Sequence, residues 1–326
     1  MPPCLIAIDM DGTLIGTGGQ ISDRNRAALL QAEAQGVEIV IATGRRHAYA
    51  MRLVRALGLR GASALISSNG TVIRTINAEL VHRRHMTAAT ALWLCRTLGD
   101  LRDTFVLTYD RVGTTGDDTR GALVCEPSNA LHASIGNWMR ANEPFIAHVD
   151  NIEQALAASA DAVATVEGLA LDLHAPIQAM LCGTVSQMEA AEALLRREPT
   201  IAGVGEPEPP GCEIVLHRTS YPDRDLSILD ILPAGCSKAS ALEHLTRLRG
   251  CTMADVLAIG DNWNDVAMLE AAGQAVLMGN APADLRTLAE DRGWTLGRTN
   301  DEDGVALAIE AALASEAVPA AQTVPA

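Results

Sequence analysis

A five-residue apolar run, Cys4-Leu5-Ile6-Ala7-Ile8, leads straight into Asp9-Met10-Asp11-Gly12-Thr13. An unbroken apolar run of this length reads as a strand buried on both faces, which belongs in a parallel sheet covered by helices. In such sheets the reactive groups sit just past the carboxyl ends of the strands. Two carboxylates one residue apart at that place repel each other unless a counter-charge holds them. A divalent cation is the usual device.

The rest of the chain extends the same pattern. Residues 23–35 read as a helix with Ser22 as its N-cap and Gly36 as its stop. A strand over 37–42 runs into Thr43-Gly44-Arg45, followed by a helix over 47–57 and Gly58. A strand over 64–67 reaches Asn69-Gly70, a hairpin-type turn, with paired strands expected over 71–75 and 79–83. From about residue 84 to 232 the character changes. Helical stretches (88–98, 129–142, 152–158, 186–196) alternate with short strands (105–109, 179–182, 213–217), and turn-rich breaks fall between them. The first pattern resumes with a helix over 238–248 and a strand over 256–259 that enters Gly260-Asp261-Asn262-Trp263-Asn264-Asp265. A helix over 266–272, a strand over 274–278 and a helix over 284–290 follow. The expectation is an α/β chain with a Rossmann-like parallel-sheet core, residues 1–83 and 233–312, an inserted α/β cap domain, 84–232, and a flexible tail, 313–326.

Composition narrows the classes. With 326 residues, 48% of them hydrophobic, a sizeable core is available. Only 3% are aromatic, so Ala, Leu, Val and Ile must fill it. A net charge of −15 argues against nucleic acid or an anionic membrane as the main partner. No apolar stretch approaches the roughly 20 residues a membrane span needs. The short N-terminal apolar run has no basic flank and does not read as a signal peptide. The seven cysteines are odd in number and none forms C-x-x-C, which predicts small buried hydrophobes in a reducing cytoplasm rather than disulfides or a zinc site. Of 25 basic residues only Lys238 is a lysine. A compact ammonium differs from a planar guanidinium fork, so its retention suggests a place where arginine will not serve.

Four groups sit where a strand ends or a helix begins. Asp9 and Asp11 offer one carboxylate to attack an electrophile and another to give and take a proton. Thr43 and Gly44 offer a hydroxyl and backbone N–H groups at a helix N-terminus, a phosphate cradle. Lys238, opening a helix, would face a phosphate and offset nearby carboxylates. The acidic turn with Asp261, Asn264 and Asp265 reads as Mg²⁺ coordination and its support. Each alone has a plainer reading: helix capping or calcium for the aspartates, an ordinary turn, a solvated lysine, an Asx-rich turn.

Taken in order, D-x-D-G-T, T-G-R, K and G-D-N-x-N-D resemble the haloacid dehalogenase-like hydrolases, and most closely their Cof-type phosphatases. The resemblance covers residues 5–70 and about 231–289, including Ser67-Ser68-Asn69-Gly70 and Met278-Gly279-Asn280-Ala281. It implies a cap between the second and third motifs. It implies Asp9 as the nucleophile that forms an aspartyl-phosphate. It implies Asp11 as general acid/base, with its backbone carbonyl on Mg²⁺. Thr43, Gly44, Lys238 and Asn264 would hold phosphate, Asp261 would be a further Mg²⁺ ligand, and Asp265 would support the metal. Ala239 stands where the family often has glycine, and the cap is somewhat long. The expected function is hydrolysis of a small phosphorylated metabolite. The same core could instead return the phosphoryl group to a sugar, as a mutase, or bind a phosphorylated ligand without turnover, as a sensor. A dehalogenase needs neither Asp11 nor the acidic turn, and an ion pump needs membrane spans. No motif gives the substrate or the oligomeric state.

Overall fold

The structure, a computed structural model, describes residues 3–113, 116–127, 133–158, 164–166, 169–221 and 225–314. The N-terminal part lays down β1 (Leu5–Asp9), α1 (Asp23–Ala34), β2 (Glu38–Ala42), α2 (His47–Val54), β3 (Ala64–Ser67), β4 (Val72–Thr75) and β5 (Leu80–Arg83). The middle supplies α3 (Ala88–Leu98), β6 (Val106–Thr108), β7 (Leu123–Cys125), α4 (Ala133–Asn142), β8 (Ile146–His148), α5 (Ile152–Ala158), β9 (Ala164–Val166) and β10 (Leu169–Leu171). It continues with β11 (Gln178–Gly183), α6 (Val185–Leu195), β12 (Ala202–Gly203), β13 (Ile214–Tyr221) and β14 (Leu226–Pro233). The chain then returns through α7 (Lys238–Arg249), β15 (Val256–Gly260), α8 (Val266–Ala271), β16 (Gln274–Leu277), α9 (Ala283–Arg292), β17 (Thr295–Leu296) and α10 (Gly304–Ala314).

Two sheets result. The first has the order β17-β16-β15-β1-β2-β3-β4-β5, parallel from β17 to β3, with β4 and β5 added antiparallel. Alternate residues of its buried strands feed opposite layers, as the period of two requires. Ile6, Ile8, Ile39 and Ile41 pack with α1, α2 and α10, whereas Leu5, Ala7, Val40 and Ala42 pack with α7, α8 and α9. The second sheet, order β12-β13-β14-β11-β6-β7-β8, comes wholly from the inserted middle. Helices α3, α5 and α6 cover one face of it through Leu107, Val124, Leu181 and Ile231. Its other face looks onto the carboxyl ends of the first sheet, so the chain is a Rossmann-like core with an α/β cap. The short pair β9 and β10 stands apart.

Several local expectations are met. Ser22 caps α1 by accepting a hydrogen bond from the Asn25 amide, and Gly58 closes the turn after α2 in the left-handed region at φ 77°. Others need correction. Cys4 and Cys251 form a disulfide, against the expectation of thiols only. Cys4 precedes β1 and Cys251 follows α7, so β15 pairing beside β1 brings together two cysteines 247 residues apart. The other five cysteines are thiols. The sequence reading lacks the strands β7, β8, β9, β10, β12, β14 and β17 and helix α10. α10 is almost wholly small and apolar and carries no helical stripe of polar residues. It runs through Ala314, two residues into the expected tail; the remainder of that tail, 315–326, lies outside the described residues. The acidic stretch Asp301-Glu302-Asp303, a solvated loop by its sequence, is tied to the first loop and α1: Asp301 accepts from the Thr17 amide and hydroxyl, and Asp303 from Ser22.

Gly70 welds the two core segments across the insertion. Its φ is 98°, and a Cβ there would run into the Ser237 carbonyl beside Lys238. Gly70→Ala is therefore expected to cost about 2–3 kcal/mol, combining left-handed strain and a backbone clash. Urea unfolding measures this, and a loss below about 1 kcal/mol would refute the close approach.

Candidate active site

Strand ends position the chemistry. β1 ends at Asp9, β2 leads to Thr43 and β15 to Asp261; the three strands are neighbours in one parallel sheet, so their ends meet. α7 enters from the far side of the insertion, with Lys238 as its first residue and Ser237 capping it by accepting from the Ser240 amide.

The carboxylates of Asp9, Asp261 and Asp265 are all buried, and each offers an oxygen within 4.8 Å of the others'. Lys238, 1% exposed, donates to Asp9 Oδ1 (2.5 Å) and to Asp265 Oδ1 (2.7 Å). Asp265 Oδ2 accepts from the backbone amides of Asp261 (3.1 Å) and Asn262 (3.2 Å). Both oxygens of Asp265 are thus taken, which makes it the brace that aims Lys238 and the acidic turn. Asp261 Oδ1 accepts from the Thr13 hydroxyl (2.7 Å). Gly12 at φ 85° lets the first loop lie against Asp261, since a Cβ there would strike that carboxylate. Asn280 fixes the same loop by donating to the Gly12 carbonyl (2.8 Å).

Three carboxylates share one ammonium here. Burial, opposed by Lys238 and reinforced by Asp265 and Asp261, holds Asp9 well above the usual carboxylate range. Burial and then the Asp265 charge push Asp261 up to about 7. Burial works against the Lys238 ammonium, but Asp265 and Asp9 outweigh it and hold its pKa above the ordinary value. A buried all-oxygen donor set with this excess of negative charge fits a hard divalent cation such as Mg²⁺. Asp9 and Asp261 have the oxygens to hold it, with Asp265 behind them.

Asp11 lies elsewhere. Its side chain is 56% exposed and is gripped by Arg45, whose Nε and terminal nitrogen donate to its two oxygens at 2.7 and 2.5 Å. Its carboxylate is not among the three that converge. Thr43 is buried, and its hydroxyl accepts from the Arg45 amide (3.1 Å), which shapes the turn into α2. Gly44 and Asn264 line the cleft of about 320 Å³ between core and cap, together with Asp9 and Asp11. Neither the Arg45 grip on Asp11 nor the brace of Thr13 on Asp261 was foreseen, although both residues lie within the quoted motifs. Asn69 also lines the cleft, at φ 53°, and reaches the cap by donating to Asp230 (3.3 Å).

The family model described as haloacid dehalogenase-like hydrolase matches residues 6–200 and 209–309. The chain is 29% identical over 308 residues to phosphatase YwpJ of Bacillus subtilis, covering 93% of this chain and 97% of that protein. It is 30% identical over 307 residues to the 5-amino-6-(5-phospho-D-ribitylamino)uracil phosphatase YcsE of Bacillus subtilis, covering 94% of each. Among solved structures, a haloacid dehalogenase-like hydrolase from Bacteroides thetaiotaomicron superposes with a TM-score of 0.67 at 26% identity, over 94% of this chain and 98% of that one.

Proposed function

The chain belongs to the haloacid dehalogenase-like hydrolases and is a phosphoric monoester hydrolase of that type, and from that premise we propose that it is a Mg²⁺-dependent phosphatase that hydrolyses a small phosphorylated metabolite through an aspartyl-phosphate on Asp9. One observation carries the reading: three buried carboxylates converge from separate parts of the chain around the only lysine.

Each residue has a part to play. Asp9 has Oδ1 on Lys238, which leaves Oδ2 to attack phosphorus in line. The bond from phosphorus to the leaving oxygen breaks as Asp11, protonated, supplies that oxygen with a proton. Asp11 then takes a proton from water as the water oxygen attacks the phosphorus and frees Asp9 and inorganic phosphate. For this Asp11 must leave Arg45 and turn inward. Thr43, Gly44, Asn264 and Lys238 would hold the phosphoryl oxygens. A Mg²⁺ on Asp9, Asp261 and the Asp11 backbone carbonyl would offset the repulsion between the anionic nucleophile and the anionic substrate. Catalysis of this kind rests on positioning and charge neutralisation, which a rigid set of strand ends provides.

The cleft volume of about 320 Å³ suits a ligand of metabolite size. The two named relatives are phosphatases, one of them acting by its name on a phosphoribitylamino-uracil, which supports a small phosphorylated substrate here. No helix among the described residues is long and apolar enough to cross a membrane. We place the enzyme in a reducing cytoplasm on its five thiols, the Cys4–Cys251 pair being the departure from that pattern.

Removing divalent cations with a chelator should abolish phosphate release from a panel of phosphomonoesters, and Mg²⁺ should restore it. Because Asp261 must lose its proton to take a cation, half-saturating Mg²⁺ should fall as pH rises through about 7. Asp261→Asn should raise it by about 100-fold. Full turnover in the metal-free enzyme, or Mg²⁺ dependence unchanged in Asp261→Asn, would defeat the metal assignment.

A further inference from the structure

The cap turns one face of its sheet to the cleft, and pairing across the strands fixes which residues share it. Gln178 on β11 stands opposite Thr108 on β6. Asp230 on β14 stands opposite Met180 on β11 and opposite His217 on β13. Their sequence neighbours Ala179, Leu229, Ile231 and Leu216 point the other way, into the packed layer under the helices. Toward the cleft this face mixes Leu123, Met180 and Ile228 with polar side chains.

Those polar groups are poorly satisfied. Gln178 is 5% exposed and its Oε1 has no partner; His217 is 8% exposed and its Nδ1 has none. His217 Nδ1 faces Asp230 Oδ2 at 3.9 Å, too far for a hydrogen bond. Asp230 takes one hydrogen bond, from Asn69 of the core. A carboxylate only accepts, so Asn69 must present its Nδ2 to Asp230. That leaves Asn69 Oδ1 on the other side, beside Gly44, also buried and without a partner. Unpaired buried polar atoms cost roughly 1–3 kcal/mol each, and three of them in one cleft mark a place that a ligand completes.

The set is also biased in kind. The oxygens of Gln178, Asn69 and Asp230 are acceptors, and Asp230 adds a negative charge. Of the arginines that line the cleft, Arg46 is engaged by Asp118 and Asn142, and Arg45 is held by Asp11 until that side chain turns inward. A second anionic group set against Asp230, Gln178 and Asn69 would therefore meet a carboxylate and two amide oxygens.

We propose that Gln178, His217 and Asp230 of the cap, with Asn69 of the core, form the subsite for the leaving group, and that it selects an uncharged group rich in hydroxyl or N–H donors and rejects one that carries a carboxylate or a second phosphate. This rests on the phosphatase reading above and names the substrate class within it. A hydrogen-bonding site discriminates strongly because a wrong ligand leaves its buried groups unpaired. Repulsion by Asp230 adds to that.

The test uses pairs of substrates that differ only in a terminal CH₂OH against a carboxylate: glycerol phosphate against phosphoglycerate, and sorbitol 6-phosphate against 6-phosphogluconate. With Mg²⁺, the wild-type enzyme should favour the neutral member by about 50-fold or more in kcat/KM at one length at least. Asp230→Asn, nearly isosteric, should shrink that ratio at least about ten-fold, mainly by admitting the anion. Gln178→Leu should raise KM for the neutral member about ten-fold. Hydrolysis of p-nitrophenyl phosphate serves as the reference. If wild type cleaves it yet treats both members of each pair alike, or if Asp230→Asn leaves the ratio unmoved, the subsite is refuted and the phosphatase stands. If wild type cleaves no phosphomonoester at all, the phosphatase reading falls and the subsite with it.

Discussion

Asp9→Asn should lower kcat for phosphate release by at least about 10⁴-fold, since a carboxamide cannot form the acyl phosphate on which both half-reactions depend. The fold should survive. The amide fills the same space at the end of β1, and its oxygen can still accept from Lys238. Removal of one charge also relieves a site where burial and two neighbouring carboxylates act against ionised Asp9. The variant should thus unfold within about 1 kcal/mol of wild type, so that lost activity reports chemistry and not unfolding. The sign is distinctive: for an ordinary ion-paired aspartate the same change weakens the native state. Phosphate release and urea unfolding on one preparation decide the matter. Residual turnover above about one part in a hundred would remove Asp9 from the role of nucleophile.

The parts of this site that could be read in the sequence are those where chemistry and backbone coincide. Asp9, Thr43 and Asp261 each follow an apolar run, and a parallel sheet must bring such ends together, so their meeting needed no knowledge of long-range contacts. Lys238 stood out because every other basic residue is arginine. What could not be read depends on which side chain turns which way. The hydrogen bonds from Arg45 to Asp11 join residues 34 apart in the chain, and nothing in either motif shows that Asp11 turns outward while Asp9 turns in. The Cys4–Cys251 disulfide likewise needs the register of β1 against β15. The cap wall was least legible. β7 and β8 are three residues long, too short for a period of two to show, and Gln178, His217 and Asp230 become neighbours only through antiparallel pairing among β11, β13 and β14.

Lys238→Met should be the most disruptive single change in this core, on stability as well as activity. The methionine fills most of the volume of the aliphatic stem but carries no charge. Asp9 and Asp265 then face each other in a site from which solvent is nearly absent, each having lost its one close cation. Breaking a buried ion pair by deleting one partner costs about 3–5 kcal/mol, and here one ammonium serves two carboxylates. The loss should be largest at neutral pH and should shrink as pH falls, because protonation of the stranded carboxylates removes the charge that the ammonium had balanced. Mg²⁺ should restore part of the stability by supplying positive charge at Asp9, but not turnover, which also needs the ammonium at the phosphoryl oxygens. Lys238→Arg separates charge from shape. The planar fork keeps the charge but is bulkier than the ammonium, and Lys238 is 1% exposed with no room to spare. That variant should fold better than Lys238→Met and still lose about 100-fold or more in kcat, because the guanidinium displaces the oxygens of Asp9 and Asp265. Wild-type turnover in Lys238→Arg would show that the solitary lysine is an accident of composition, and that charge alone is what the three carboxylates require.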